Sequence, residues 1–434
     1  MTSVHKIVIV GGGAGGLELA TQLGNRLGKN SQAEICLVDQ KLTHLWKPLL
    51  HEVAVGSINT HEEEINYFAH AAKHYYQFIL GSFVGLDRQQ KRIVLNTPQW
   101  QQKHDTDTTS SQAQQVYVEY DTLVLALGSS CNDFNTPGVK SYCHFLDNLE
   151  QAQKFQQDLL HLYLEAQHLP NARALSIAII GAGATGVELA AELAQAKQTF
   201  YQYGLNKVDP QKVTIHVIEA ADRILPALST TTSQHTQQLL QRFGVNVLTQ
   251  HRVSKVDATQ LHFSDGSHLA ADLKVWSAGI KAPDVFAQLT EFKKDQLNRL
   301  HVYATLQTTI DPDIFAFGDC AHCQPVANEP PLAPRAQVAS QQASFLVRAL
   351  TAHVRGHTLP MFKFVEKGSL VSLSQKSAVG ELLGKVNIQG LVARTMYASL
   401  YRLHQANIHG YTHAGLLTAK DLVTKSVSPK IKLH

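Results

Sequence analysis

The residues with the plainest chemical purpose are glycines. Gly11-Gly12-Gly13-Ala14-Gly15-Gly16 and Gly181-Ala182-Gly183-Ala184-Thr185-Gly186 each follow a short apolar run, 7–10 and 177–180, and each opens a helix-compatible stretch. In this spacing the first glycine permits a tight turn, the second lets the backbone approach a pyrophosphate, and the third lets helix and strand pack closely. The helix N-terminus then offers free N–H groups and the positive end of its dipole to the phosphates. Each loop is followed by a second apolar strand ending in an acid, 35–39 at Asp39 and 213–219 at Glu219. A carboxylate in that place accepts hydrogen bonds from ribose hydroxyls. The plain alternative is a glycine-rich turn that binds nothing. The whole context occurs twice, however, and this favours a chain that holds two dinucleotides at once.

Other residue types add chemistry around these loops. Glu188 sits on the first turn of the second helix, where its minimal role is to complement the helix dipole, worth about 0.3–1 kcal/mol. Gln337 and Gln341 are spaced i, i+4 and share a helical face, with Gln342 beside them. Uncharged amides can bond a neutral oxygen without burying a charge, although glutamines on an arbitrary helix are more often on the surface. Lys47 next to Pro48 is either a fixed cation or a solvated loop charge. Cys320-Ala321-His322-Cys323 has metal or redox spacing, but a closed zinc site needs four ligands and no second CxxC is present. Small buried residues at the start of a helix are expected there. The 23 histidines form no HExxH pattern, and no metal is expected.

The elements that position these residues read as α/β. At 434 residues there is room for two or three domains. The 44% hydrophobic and 17% charged content is globular, and a net charge of +3 is too small to argue for nucleic acid. Five cysteines, an odd number, suit reduced thiols. The N-terminus enters a strand directly, leaving no space for a signal peptide, so residence on the cytoplasmic side is expected. No apolar run reaches the roughly 18 residues of a membrane span, so any membrane contact lies on the surface. Further strands are expected at 120–128, 244–248, 273–279 and 313–319, with a Gln-rich helix over 148–168. The polar stretch 99–115 reads as a solvated hairpin tip. A long crossover, 195–211, places Glu219 farther from its glycines than the motif ideally does.

From 391 to 408 apolar Val392, Met396, Leu400 and Leu403 recur at helical spacing, with Tyr397, Tyr401, Arg394 and Arg402 among them. Lys420, Lys425, Lys430 and Lys432 follow. A basic amphipathic end suits a helix lying in the interface of an anionic bilayer, with its tyrosines at headgroup depth. The alternative is a helix packed on the protein's own core with a solvated basic tail.

The two glycine loops, the strand ending Ala126-Leu127-Gly128 and the late Phe317-Gly318-Asp319 together resemble the flavoproteins with two dinucleotide-binding domains. In these the first loop holds FAD and the second NAD(P)H. His44-Leu45-Trp46-Lys47-Pro48-Leu49-Leu50-His51-Glu52-Val53-Ala54, with segments 276–281, 335–342 and 367–373, is similar to the bacterial type II, non-proton-pumping NADH:quinone oxidoreductases, and the likeness runs over essentially the whole chain.

This resemblance implies two Rossmann-like domains. An FAD domain (1–135 and 291–350) is interrupted by an NADH domain (136–290), and a C-terminal membrane-associating region (351–434) follows. It implies tightly but non-covalently bound FAD, held by Gly11, Gly13, Gly15, Gly16, Asp39, Lys47, Val84, Ala126, Gly128, Gly318, Asp319, Ala336 and Gln337. NADH is then met by Gly181, Gly183, Thr185, Gly186, Glu188, Glu219 and Gly279. Gln337, Gln341 and Gln342 are assigned to the quinone. Lys47 would stabilise reduced flavin, and Glu188 would approach its nicotinamide side.

The implied activity is respiratory electron transfer from NADH through FAD to membrane quinone. It would occur on the cytoplasmic face of the bacterial inner membrane, by a peripheral protein that can form a homodimer. Hydride passes only between stacked rings, so the two nucleotide domains are expected to face one another. Residues 40–54 contain no cysteine, which argues against a thiol relay beside the flavin. Sulfide:quinone oxidoreductase is the nearest rival, kept open by Cys131, Cys320 and Cys323. An NADH-sensing flavoprotein that acts by partner binding is a third reading.

Overall fold

The computed structural model describes residues 4–97, 114–373, 377–383, 386–424 and 429–432. The segment expected as a solvated hairpin tip lies almost wholly outside them, as does Lys425. The chain forms two compact units, each built from discontinuous segments. The first comprises 1–46, 64–130 and 281–365, and the second 47–63, 131–280 and 366–434.

The first unit is organised by a five-stranded parallel sheet in the order Ile314–Ala316, Thr122–Leu125, His5–Val10, Ala33–Asp39, Gln77–Leu80. Its central strands are almost uninterruptedly apolar and fully buried, as a parallel sheet covered on both faces requires. The helix Ala14–Leu23 follows the first glycine loop. The helix Ala336–Val354 packs on it, and the contact includes a buried polar tie: Glu18, with no exposed surface, accepts from Ser340 Oγ at 3.0 Å and Ser344 Oγ at 3.5 Å. An antiparallel three-stranded sheet, Ser82–Asp87, Arg92–Thr97 and Gln114–Glu119, completes the unit.

The second unit repeats the plan with a four-stranded parallel sheet, Val245–Leu248, Val208–Ile218, Arg173–Ile180, Leu273–Trp276. The helix Ala184–Gln202 follows its glycine loop. The second strand starts at Val208 and pairs in register, Ile180 opposite Ile218, so the long crossover does not carry Glu219 away from its glycines. Register, and not sequence distance, decides where the acid lands. The helix Leu149–Gln167 starts where expected, with the Asn148 side chain accepting from Gln151 N–H.

Beyond residue 366 an antiparallel sheet, Gly368–Ser372, Ala378–Leu382 and Val386–Gln389, precedes the helices Gly390–His409 and Tyr411–Thr424. Ala393 and Tyr397 of the first of these helices pack on Ala378, Leu370 and Ile388.

Candidate functional site

The two glycine loops are built alike. Gly11 has φ +105° and Gly181 +102°, the left-handed region that favours glycine. Their N–H groups donate to Val38 O and Ile218 O, both at 2.8 Å. A Cβ at Gly16 or Gly186 would overlap the carbonyl oxygen of Gly11 or Gly181, so helix and turn touch backbone to backbone. At Gly13 and Gly183 a Cβ would meet nothing within 4 Å. The space before each helix N-terminus is therefore open to a phosphate pair.

The two acids brace these loops. Asp39 Oδ2 accepts from Gly12 N–H at 2.6 Å and Oδ1 from Lys41 N–H at 2.8 Å. Glu219 Oε2 accepts from Ala182 N–H and Oε1 from Ala221 N–H, both at 2.9 Å. A carboxylate has about four lone-pair sites, so capacity remains for ribose hydroxyls. Burial raises Asp39 above the ordinary carboxylate range, and the Gly12 N–H pulls it back.

In the first unit, the strand end after Leu125 and the Gly318-Asp319 turn converge. Ser129 Oγ donates to Asp319 Oδ2 at 2.8 Å, and Gly128, at φ +69°, faces open space. The N–H of Ala126 donates to Val10 O, and the first glycine turn packs on its carbonyl. Gly15 lies against the Phe317 ring. Val84 sits at a register break between Phe83 and Gly85, without a ladder partner, as bulges beside binding sites often do. Ala336 and Gln337 open the helix Ala336–Val354, whose N-cap residue, Arg335, makes no side-chain capping bond. These residues fit FAD, because the unit offers an open pyrophosphate cradle, an acid for ribose and an acid at the far strand end. No role was assigned from the sequence to the His44 ring or the Tyr67 hydroxyl, which donate to Gly12 O at 3.0 and 2.6 Å and fix the first loop from behind.

The glutamines divide. Gln342 is 1% exposed and its Oε1 accepts from Gly318 N–H at 2.8 Å. Its assignment to the quinone is therefore corrected: it holds the turn that presents Asp319. Gln341 exchanges two bonds with the backbone of Val365, Nε2–H to the carbonyl at 2.8 Å and Oε1 from the N–H at 3.0 Å. It clamps the chain after the helix. Gln337 is half-buried on the first turn.

In the second unit Lys47 Nζ lies 3.5 Å from Asp147 and is 46% exposed, while Asp147 also accepts from Cys131 N–H. The segment 47–63 that carries Lys47 belongs to this unit and not to the first. Gly279, at φ +65°, packs on the Phe134 ring, and its carbonyl accepts from Asn132 N–H. Thr185 is exposed beside the open Gly183. Glu188 points inward: its Oε1 accepts from Ser372 N–H at 3.0 Å and its Oε2 lies 3.5 Å from His51 Nδ1. Burial raises Glu188, with the nearby His51 opposing. The one hint in the sequence was a histidine and a glutamate, His51-Glu52, inside an otherwise apolar helix.

Cys320-Ala321-His322-Cys323 does not start a helix. Residues Ala321–Cys323 form a strand paired with Leu300–Val302. Both cysteines are buried, and burial pushes both thiols up to about 12. Cys131 is likewise raised to about 12. None of the three is a ready thiolate, which weakens the sulfide reading. Among the described residues no group of three or more His, Cys, Asp or Glu is placed to hold a metal.

The C-terminal helices correct a further expectation. Tyr397 is buried toward Glu188, and Tyr401 donates to Glu63, so neither tyrosine stands free for a headgroup layer. The Arg394 guanidinium donates to Ser372 Oγ, and that of Arg402 pairs with Asp421. The basic tail is not simply solvated either. Lys420 pairs with Glu62 at 2.7 Å, Ile431 is buried, and Lys432 N–H donates to Gly56 O. The outward-facing residues include apolar Leu391 (70% exposed), Val392 (65%), Leu400, Leu403 and Leu416 (69%), interspersed with exposed Thr395, Ser399, His413 and Lys420. Among the described residues no helix is long and apolar enough to cross a membrane.

With two glycine loops, two acids in register and an open cradle at each, the family follows. Residues 5–343 match the pyridine nucleotide-disulphide oxidoreductase family, and the chain belongs to it. It is 40% identical to the type II NADH:quinone oxidoreductase of Haemophilus influenzae, over 99% of this chain and 100% of that protein. Within the family it therefore belongs with the type II NADH:quinone oxidoreductases. The NDH2 structure from Plasmodium falciparum in complex with NADH superposes with a TM-score of 0.84 over 100% of both chains at 20% identity. The sulfide:quinone oxidoreductase of Aquifex aeolicus shares the fold, with a TM-score of 0.73 over 98% of this chain and 96% of that one at 15% identity.

Proposed function

We propose that this protein oxidises NADH and delivers the electrons through FAD to a membrane quinone, with no route for pumping protons. The observation that carries this is the second glycine loop, open at Gly183 and braced by Glu219, in a chain akin over its full length to an NADH:quinone oxidoreductase. FAD, when bound, supplies the two-electron step between donor and acceptor. Gly13, Asp39, Gly128, Asp319 and the Ala336–Gln337 helix start would hold it. Gly183 and the second helix N-terminus receive the donor pyrophosphate, and Glu219 receives the ribose. Gln337 and the half-exposed Lys47 are the residues assigned to the acceptor and to reduced-flavin charge. Anaerobic mixing with NADH and then quinone, followed by flavin absorbance, tests the reading. Bleaching by NADH without recovery on quinone would favour a sensor, and bleaching by sulfide alone would favour the rival enzyme.

Glu219 also sets the donor. Its carboxylate accepts from a 2′-hydroxyl and repels a 2′-phosphate, so NADH is preferred over NADPH. The Glu219→Gln variant is expected to lose most of that preference, by roughly tenfold in the ratio of kcat/KM values, about 1.4 kcal/mol. Equal efficiency with both nucleotides in the unmodified protein would refute the assignment.

The protein lies on the cytoplasmic face of the membrane through the outward apolar residues of its C-terminal helices. The combined variant Leu391→Ser, Val392→Ser, Leu416→Ser is expected to bind liposomes at least about tenfold more weakly, each lost side chain removing roughly 1 kcal/mol of partial burial. It should still reduce a water-soluble quinone analogue. Because Arg394, Arg402 and Lys420 are engaged within the protein, added salt should weaken binding less than these substitutions do. The opposite ranking in a vesicle flotation assay would show that charge dominates.

A further inference from the structure

Phe134 stands 58% exposed in the second unit, in a turn where both it and Asn135 have positive φ, +50° and +54°. A bulky aromatic residue rarely adopts that left-handed conformation, and it persists only where the surroundings over-determine it. Here they do. Asn132 Oδ1 accepts from Phe134 N–H at 3.0 Å, Asp133 O accepts from Thr136 N–H at 2.9 Å, and the Trp276 indole donates to Asn132 O at 2.8 Å. Asp133 itself is 7% exposed and pairs with Lys140 at 3.3 Å. The turn thus fixes the ring at the surface, and the ring lies on Gly279, where a Cβ would collide with its Cζ.

The sheet order places this ring. The strand that feeds the glycine loop, Arg173–Ile180, stands between Val208–Ile218, which leads to Glu219, and Leu273–Trp276, which leads to Ser277-Ala278-Gly279. A dinucleotide lies across the carboxyl ends of such parallel strands, with its pyrophosphate at the glycine loop. With the adenosine ribose toward Glu219, the nicotinamide half extends the other way, over residues 277–279. These residues abut the loop directly. Ser277 Oγ lies 3.0 Å from the carbonyl oxygens of both Ile180 and Gly181, and a Cβ at Gly181 would collide with the Ala278 backbone.

Resting on the donor site proposed above, we propose that Phe134 is a positioning residue for NADH: its exposed face packs against the nicotinamide half and holds it over Gly279. The chemistry suits the ligand. A dihydronicotinamide ring is uncharged and largely apolar, so it gains contact from an aromatic neighbour without any group being left unpaired. The braced turn adds stiffness, because a ring already ordered by the fold loses little freedom when the donor arrives. Glu219 and Phe134 then divide the donor between them. The acid grips the adenosine end and selects its ribose, and the ring places the reacting end.

Calorimetric titration of the FAD-loaded protein with NAD⁺ and with ADP-ribose, which lacks the nicotinamide, tests this without turnover. Phe134→Ala should weaken NAD⁺ about 3–10-fold, the range of one lost aromatic contact, and leave ADP-ribose unchanged. Phe134→Tyr should restore the unmodified affinity. In stopped-flow, Phe134→Ala should slow flavin reduction by NADH and leave reoxidation by quinone unaltered. Because asparagine tolerates positive φ, Phe134→Asn should be at least as stable to heat as the unmodified protein while losing the same NAD⁺ affinity. Equal weakening of both ligands, with a lowered thermal midpoint in Phe134→Asn, would make the ring a structural cover for Gly279 and overturn the proposal. Unchanged NAD⁺ affinity in Phe134→Ala would overturn it as well. Failure of the unmodified protein to bind ADP-ribose would instead break the donor site itself, and the role of Phe134 with it.

Discussion

The Gly183→Val variant should fold, retain FAD and yet be reduced by NADH at least about 10²-fold more slowly. A Cβ at this position meets no protein atom within 4 Å, and the backbone, at φ −71°, suits any L-residue. The fold therefore does not register the change. What the valine fills is the approach to the helix N-terminus, and displacing a bound donor by about 1 Å costs on the order of two decades in rate. The contrast is Gly186→Val, whose side chain collides with the Gly181 carbonyl and should fail at the level of folding. Flavin absorbance of the purified protein and a stopped-flow titration with NADH separate the two. Normal reduction of the Gly183→Val protein would mean that the donor binds elsewhere.

The second large effect is expected at Gln342. Replacing it by leucine leaves the Gly318 N–H without its acceptor in a site only 1% exposed, a loss of about 1–3 kcal/mol. Because Gly318 precedes Asp319, the turn that presents this acid should loosen, and FAD should dissociate more readily on dilution. The Gln342→Leu variant should thus lose flavin in both half-reactions alike, and added FAD should restore both. A variant that keeps its flavin and fails only toward quinone would return Gln342 to the acceptor site. Gln341→Leu, which frees Val365 at a more exposed position, should have the smaller effect on flavin retention.

The glutamines show which parts of this molecule were legible in the sequence. A dinucleotide loop is local: its glycines, strand and helix lie within a dozen residues, and backbone sterics alone dictate the residue types. Both loops could therefore be read directly, and so could the acids, since a parallel strand pair ends in register. The three glutamines lie on one helix turn and a half, and nothing in their spacing says that Gln342 faces Gly318 while Gln341 reaches Val365. That depends on where the segments after residues 316 and 360 pass.

The same holds at the C-terminus. Helical periodicity located the amphipathic stretch, but its direction was legible only in part. Its apolar residues Leu391 and Val392 face outward, whereas Tyr397 and Tyr401 turn inward to carboxylates, Glu188 and Glu63, that are remote in sequence. His51 was visible as a residue, but nothing in its sequence neighbourhood said that it would lie 3.5 Å from Glu188.

The order of strands in the first sheet has a consequence for synthesis. Thr122–Leu125 is flanked on one side by His5–Val10, made early, and on the other by Ile314–Ala316, made late. At about 5–20 residues per second, the intervening chain takes on the order of ten seconds or more to emerge from the ribosome. Throughout that interval Thr122–Leu125 is an apolar edge with unpaired N–H and C=O groups, the kind of surface that templates association between chains. Asp319 and the helix start at Ala336 also arrive only at the end of this period. The nascent chain can neither close its first sheet nor bind its flavin until the second nucleotide fold has already been made. The first sheet therefore closes only after all four strands of the second have been synthesised, and the interval before residue 316 emerges is when the chain most needs a chaperone.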